Sequence, residues 1–241
     1  MRCFFPRETG KGGTVTDGRI RVFAVDAGSL PDLPDRALEE LFPEDRAAAI
    51  RKYRMPGDRI RSAWAELLLR AVLEKYCGIP RDTQKIIRRE DGKPYLAGGA
   101  GMPEISISHS GPWAAASIGP AVHGIDVEAP RNPGMYLTLA DRWFLPAEAE
   151  ALRNAPEEER TELFLLFWTV KESFLKMTGE GLRSGPQAAD ALRLLQGSDE
   201  TAAFRTVLPD GAVLSCCGPG EVLPERAEIW PAEELRKLYG L

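Results

Sequence analysis

The stretch Arg59–Cys77 places Trp64, Leu67, Leu68, Ala71, Val72 and Tyr76 at steps of three or four residues. That spacing lays them along one face of an α-helix. Gly78 and Pro80 follow, the first suited to a left-handed cap and the second unable to prolong a helix. An amphipathic helix over Arg59–Cys77 therefore anchors the reading of the chain. Before it, Arg19–Val25 reads as a short strand, and helical signals cover Arg36–Leu41 and Pro43–Tyr53. After it, Ile86–Gly101 is turn-rich and contains Asp91-Gly92-Lys93-Pro94. Glu104–His109 and Val122–Glu128 alternate with the period of a strand, and the small apolar run Trp113–Ile118 lies between them.

In the second half, Pro146 opens a helix as an N1 proline, and Glu158–Met177 forms a long helix closed by Gly179. Ala203–Leu208, Asp210-Gly211 and Ala212–Cys216 read as a hairpin, followed by a short strand near Ile229 and a last helix from Ala232. Helices and short strands in this order give an α+β chain with a boundary near Gly119 and Pro120. The expected organisation is a flexible lead-in over residues 1–19, a first half over 20–120 and a second over 121–241.

Composition narrows the function classes. The 241 residues carry 31 Lys+Arg against 36 Asp+Glu, a formal net charge of −5, which disfavours a general nucleic-acid binder. With 44% hydrophobic residues the chain can bury a core, so disorder throughout is excluded. The longest apolar run, Leu163–Val170, contains a threonine and falls short of the roughly 18 residues that a membrane span needs. No signal-peptide core follows Met1, so the expectation is a cytoplasmic protein without a membrane segment. Cysteines at 3, 77, 216 and 217 form no C-x-x-C, and the adjacent Cys216-Cys217 pair reads as buried strand positions. His109 and His123 are the only histidines, too few for a multi-histidine metal cage. Any bound metal must then be held by oxygen, which points to a hard cation such as Mg²⁺.

Four constellations can carry chemistry. In Gly124-Ile125-Asp126-Val127-Glu128 the strand period puts both acids on one face, about 7 Å apart at Cα, where they either share a cation or form a solvated edge. In Phe167-Trp168-Thr169-Val170-Lys171-Glu172-Ser173-Phe174-Leu175-Lys176, Glu172 and Lys176 are one helical turn apart. They are either site residues or an ordinary surface pair, and Trp168, like Trp113, reads as a core aromatic. Ser106-Ile107-Ser108-His109-Ser110-Gly111 ends a strand in a turn whose histidine either bonds backbone or contacts an anion. From Arg46 to Arg61, six basic residues (Arg46, Arg51, Lys52, Arg54, Arg59, Arg61) face one acid, Asp58, as a phosphate site or a solvated helix face.

The order of these blocks resembles the surfactin-type (Sfp-type) 4'-phosphopantetheinyl transferases. The resemblance rests on Gly92-Lys93-Pro94, Ile105–Gly111, Gly124–Glu128, Phe167–Lys176 and Gly179-Glu180-Gly181-Leu182, and spans about residues 40–185. It implies a pseudo-two-fold fold of two similar α+β halves with coenzyme A in the cleft between them. It also implies Mg²⁺ on Asp126, Glu128 and Glu172, and transfer of phosphopantetheine from coenzyme A to a serine of an apo acyl or peptidyl carrier protein. By the same resemblance Glu172 accepts the serine proton directly or through water, Lys176 stabilises or protonates the departing phosphate, and Lys171 assists with phosphate charge. His109, Ser108 and Arg61 would hold the 3'-phosphate, and Gly92, Lys93 and Pro94 would pass along the adenine. A monomer serving fatty-acid or secondary-metabolite carrier proteins follows from the same likeness.

One departure stands out. The family pattern has lysines where this chain has Asp45 and Ala48, so the 3'-phosphate grip is its open point, and weaker discrimination against dephospho-coenzyme A is the expected consequence. Competing readings are a non-catalytic module binding coenzyme A or a carrier protein, and a Mg²⁺-dependent nucleotide pyrophosphate hydrolase.

Overall fold

The computed structural model describes residues 18–89, 92–180 and 185–241. Most of the expected lead-in, Asp91 of the expected turn, and Gly181-Leu182 of the last motif lie outside the described residues. The first half runs β1 (Arg21–Asp26), α1 (Asp35–Leu41), α2 (Glu44–Arg51), α3 (Pro56–Cys77), β2 (Lys85–Arg88), β3 (Pro94–Ala97), β4 (Glu104–Ser110) and β5 (Trp113–Gly119). The second runs β6 (Gly124–Glu128), α4 (Tyr136–Trp143), α5 (Pro146–Asn154), α6 (Glu157–Thr178), α7 (Ala191–Gln196), β7 (Ala202–Val207), β8 (Val213–Gly218), β9 (Ala227–Ile229) and α8 (Ala232–Leu238). The fold is α+β.

Two 22-residue helices, α3 and α6, each lie on a sheet, α3 on a mixed one and α6 on an antiparallel one. Alternation along β1 and β5 explains how the first sheet, ordered β4-β5-β1-β9, is buried on both faces. Phe23, Val25, Ala114, Ala116 and Ile118 point at Trp64, Leu67, Leu68 and Ala71 of α3. Val22, Ala24 and Ala115 turn the other way, onto Ile125, Val127, Leu214 and Cys216 of the second sheet, β6-β8-β7. α6 closes that second sheet with Phe164, Phe167 and Val170. Each such side chain contributes about 1.5–3 kcal/mol by leaving water. The chain end returns to the first half, where β9 pairs parallel with β1, and Trp230 and Leu235 join its core.

Glycines cap both long helices in the left-handed region, Gly78 at φ 66° and Gly179 at φ 77°, as the sequence leads one to expect. Pro146 holds N1 of α5, and Cys216 and Cys217 are buried on β8. Turn-rich 86–101 proves to hold the β2–β3 hairpin, and α4 and α7 are additions to the expected order. Among the described residues, no helix is long and apolar enough to cross a membrane.

The two sheets meet through side chains instead of a backbone ladder. Ser106, Ser108 and Ser110, alternate residues on one face of β4, accept the backbone N–H groups of Ile125 (3.1 Å), Val127 (3.3 Å) and Ala129 (3.1 Å) through their hydroxyl oxygens. This serine row holds β6 beside β4, and so sets the acids of one half against the His109 strand of the other.

Candidate active site

The acidic side of the site begins with a close approach. A Cβ at Gly124 would overlap the Ser173 carbonyl oxygen and the Met177 backbone nitrogen, so α6 lies directly on β6 only because that residue is glycine. The approach brings Lys176 to Asp126, Nζ to Oδ1 2.7 Å. Ser108 Oγ donates to the same oxygen at 2.8 Å, and Lys176 also donates to Ser108 at 2.9 Å. Asp126 is buried, so its charge depends on these two donors. Glu128, two residues on along the strand face, accepts from Arg131 Nε at 3.0 Å.

Asp126, Glu128, Glu172 and Lys176 all line one cleft of about 680 Å³. His109, Ser108, Gly92, Lys93 and Pro94 line it too, as do Arg46 and Arg88 from the first half. The sequence-derived set thus converges, with two exceptions. Burial raises the Glu172 carboxyl above its usual range, and the neighbouring Asp126 adds to the effect. Burial likewise raises Glu128, against the pull of Arg131. His109 is pushed down to about 4, first by burial and then by the cations Lys176 and Arg61, so its imidazole is neutral at pH 7. Its ring meets Tyr53 edge to face, with centroids 6.5 Å apart.

By donor chemistry, three carboxylates in one cleft suit a hard cation, which would offset both the burial that raises Glu172 and the lesser repulsion from Asp126. Among the described residues, no three acid, histidine or cysteine groups stand close enough together to coordinate a metal as placed. Lys176 and Arg131 instead supply the positive charge beside Asp126 and Glu128.

Lys171 is the first exception. Its ammonium is fully buried away from the cleft, paired with Glu148 at 2.8 Å and donating to the Pro186 and Ala189 carbonyls. A residue beside Glu172 is turned roughly 100° around the helix, and this one falls on the core stripe of Phe167, Val170 and Phe174. Assistance with phosphate charge is therefore corrected to a structural anchor. Arg61 is the second: it donates to the Gly111 carbonyl at 2.9 Å and pairs with Asp58, beside His109 but not lining the cleft. Ser108 does line it, yet its hydroxyl is spent on Asp126, Lys176 and the Val127 amide.

Residues 123–215 match the 4'-phosphopantetheinyl transferase superfamily, and residues 35–119 match the family described as 4'-phosphopantetheinyl transferase, N-terminal. Similar proteins include 4'-phosphopantetheinyl transferase psf-1 of Bacillus pumilus, 31% identical over 69% of this chain and 72% of that protein. 4'-Phosphopantetheinyl transferase Sfp of Bacillus subtilis is 30% identical over 67% of this chain and 70% of its own length. 4'-Phosphopantetheinyl transferase HetI of Nostoc is 32% identical over 63% of this chain and 66% of its own length.

The chain belongs to the 4'-phosphopantetheinyl transferase superfamily.

Both matched regions of this transferase-family chain build the cleft: Arg46, Arg88 and His109 come from the first, Asp126, Glu128, Glu172 and Lys176 from the second. Sequence reasoning missed Tyr53, Ser62, Arg88 and Trp143, which also line it. Trp168, expected in the core, stacks on Phe164 and also forms cleft wall. For Arg88 no local signal exists, because its place depends on the β2–β3 hairpin folding back over α3.

Proposed function

We propose that this protein transfers 4'-phosphopantetheine from coenzyme A to a serine hydroxyl of an apo acyl or peptidyl carrier protein, releasing adenosine 3',5'-bisphosphate. The observation that carries the reading is the gathering of Asp126, Glu128, Glu172 and Lys176 with His109 and Gly92–Pro94 around one cleft, in a chain of this family. A cleft of about 680 Å³ falls in the range of pockets that take a cofactor-sized ligand.

Asp126, Glu128 and Glu172 would hold Mg²⁺, which when bound supplies Lewis-acid polarisation of the pyrophosphate. Glu172, with its raised carboxyl, accepts the proton of the attacking serine directly or through one water. The serine oxygen bonds to the phosphorus that carries pantetheine as the bridging P–O bond breaks. Lys176 then stands beside the departing phosphate and offsets its charge, released from Asp126 as the ligand enters. His109, neutral and edged by Tyr53, contacts the nucleotide phosphate, while Gly92, Lys93 and Pro94 border the adenine.

The reading extends to a cytoplasmic monomer, to halves meeting near Gly119 and Pro120, and to carriers of fatty-acid or secondary-metabolite assembly. The test is chromatography of the nucleotide product. Adenosine 3',5'-bisphosphate appears only with carrier protein, coenzyme A and Mg²⁺ together. Its release without carrier protein favours a hydrolase, and coenzyme A binding without any release favours a binding module.

A further inference from the structure

Two of the three cleft carboxylates already carry a cation from the chain itself. Asp126 is buried, and its Oδ1 takes Lys176 Nζ at 2.7 Å and the Ser108 hydroxyl at 2.8 Å. A carboxylate oxygen offers about two lone pairs, so these donors fill that atom. Glu128 accepts from Arg131, whose guanidinium also reaches Ser110 Oγ at 3.1 Å. Among the described residues no three acids stand close enough to coordinate one cation as placed, so binding must rearrange side chains as well as neutralise them. The two internal cations are not equivalent. Arg131 is 63% exposed and lies outside the cleft, where its pairing is weak. Lys176 is 32% exposed and lines the cleft, so its ammonium, on a flexible four-carbon stem, can turn from Asp126 to a phosphate without moving α6.

We infer that Lys176 is an internal counter-ion that keeps a divalent cation off Asp126 until an anionic ligand in the cleft draws the ammonium away. The inference rests on the metal assignment proposed above and adds a linkage to it. Whatever moves Lys176 from Asp126 favours the cation, and a cation on Asp126 frees the lysine for phosphate, by the same factor in each direction. Ser108 supports the exchange: it accepts from Lys176 at 2.9 Å while donating to Asp126, so the carboxylate keeps one donor when the lysine leaves. By itself the protein holds a divalent cation weakly, and it holds one well together with a phosphate-bearing ligand.

Mn²⁺, which takes the same oxygen donors as Mg²⁺, is the probe, and its binding to the full chain without nucleotide is read by calorimetry. Lys176→Met keeps the length of the side chain and removes its charge, and it should tighten Mn²⁺ about tenfold over wild type. Asp126→Asn should abolish the binding. Arg88→Gln removes a cation that lines the same cleft but pairs with Glu66 at 3.4 Å. It should leave Mn²⁺ affinity within about twofold, which separates competition at Asp126 from a general change in charge. Coenzyme A should tighten Mn²⁺ on the order of 100-fold in wild type and about tenfold less than that in Lys176→Met. An affinity in Lys176→Met no tighter than in wild type overturns the inference, and so does equal tightening in Arg88→Gln; the metal assignment stands if Asp126→Asn still abolishes binding. Binding that survives Asp126→Asn overturns both. Should Lys176→Met fail to fold, Lys176→Gln, which can still donate to Asp126 without the charge, carries the same test.

Discussion

Lys176 of α6 donates to Asp126 of β6 at 2.7 Å, across a gap of 50 residues in sequence. The contact exists because Gly124 lets the helix backbone rest on the strand, and because Ser108 fixes the far side of the same carboxylate oxygen. The long helix thus arrives at the acidic strand with its lysine set beside Asp126 in the cleft. Glu172, one turn earlier on that helix, is carried into the cleft by the same docking.

Asp126→Asn keeps the shape of the side chain but removes the charge that Lys176 and any cation require. Transfer should fall about 10³-fold with Asp126→Asn and about 10²-fold with Lys176→Ala, the scale of losing one preorganised electrostatic group. Circular dichroism should show both variants folded. Steady-state rates within threefold of wild type for either would contradict the assigned roles.

Gly124→Ala puts a methyl group where the α6 backbone now lies. Helix and strand must separate, at a cost of about 1–3 kcal/mol or more for overpacking, and Lys176 must move away from Asp126. Thermal unfolding and transfer rate should both drop. A variant with unchanged melting temperature and full activity would show that the close approach is not required.

Lys171→Met leaves Glu148 buried and unpaired, although that carboxylate still accepts the Leu145 and Ala191 amides at 2.7 Å each. Removing one partner of a buried pair costs about 3–5 kcal/mol. The loss should therefore appear in denaturant midpoint, with the coenzyme A KM within about twofold of wild type. A KM raised tenfold in a stable variant would return Lys171 to the phosphate.

That lysine also marks where the sequence was legible and where it was not. Asp126, Glu128, Glu172 and Lys176 could be read because strand period and helical turn place neighbours on a face without reference to the rest of the fold. The same periodicity puts Lys171 four residues after Phe167 and three before Phe174, inside the apolar stripe, so its burial was available to a stricter reading. Glu66 and Arg70 stand one turn apart within the apolar run Trp64–Leu73, a sign of buried charge. Arg46 and Arg88 join them only through tertiary folding, over sequence separations of 20 and 22 residues from Glu66, and no local pattern announces that. The β2–β3 hairpin escaped for a related reason: four-residue strands with one largely exposed carry little periodic signal.

His123 predicts an acid sensitivity. Wholly buried and neutral, it donates from Nδ1 to the Ala121 carbonyl (2.8 Å) and accepts the Ser117 hydroxyl at Nε2 (2.7 Å), and burial pushes its imidazole from the ordinary 6.5 down to about 4. The unfolded chain then binds a proton that the folded chain refuses. Stability is full above about pH 6.5 and declines as pH falls toward 4, by about 3 kcal/mol from this residue. Urea unfolding at pH 7.5, 5.5 and 4.5 should show the decline, and His123→Gln should make it shallower, leaving the share that His109 contributes by the same linkage. A wild-type profile as flat as the variant's would contradict the assignment.

The most direct measurement is intact-mass spectrometry of a purified apo carrier protein incubated with this protein, coenzyme A and Mg²⁺, beside an EDTA control and the Glu172→Gln variant. The account predicts a mass gain of one phosphopantetheine on the carrier protein, lost with EDTA and with the variant. A carrier protein of unchanged mass across acyl and peptidyl types, or a gain that persists with Glu172→Gln, would contradict it.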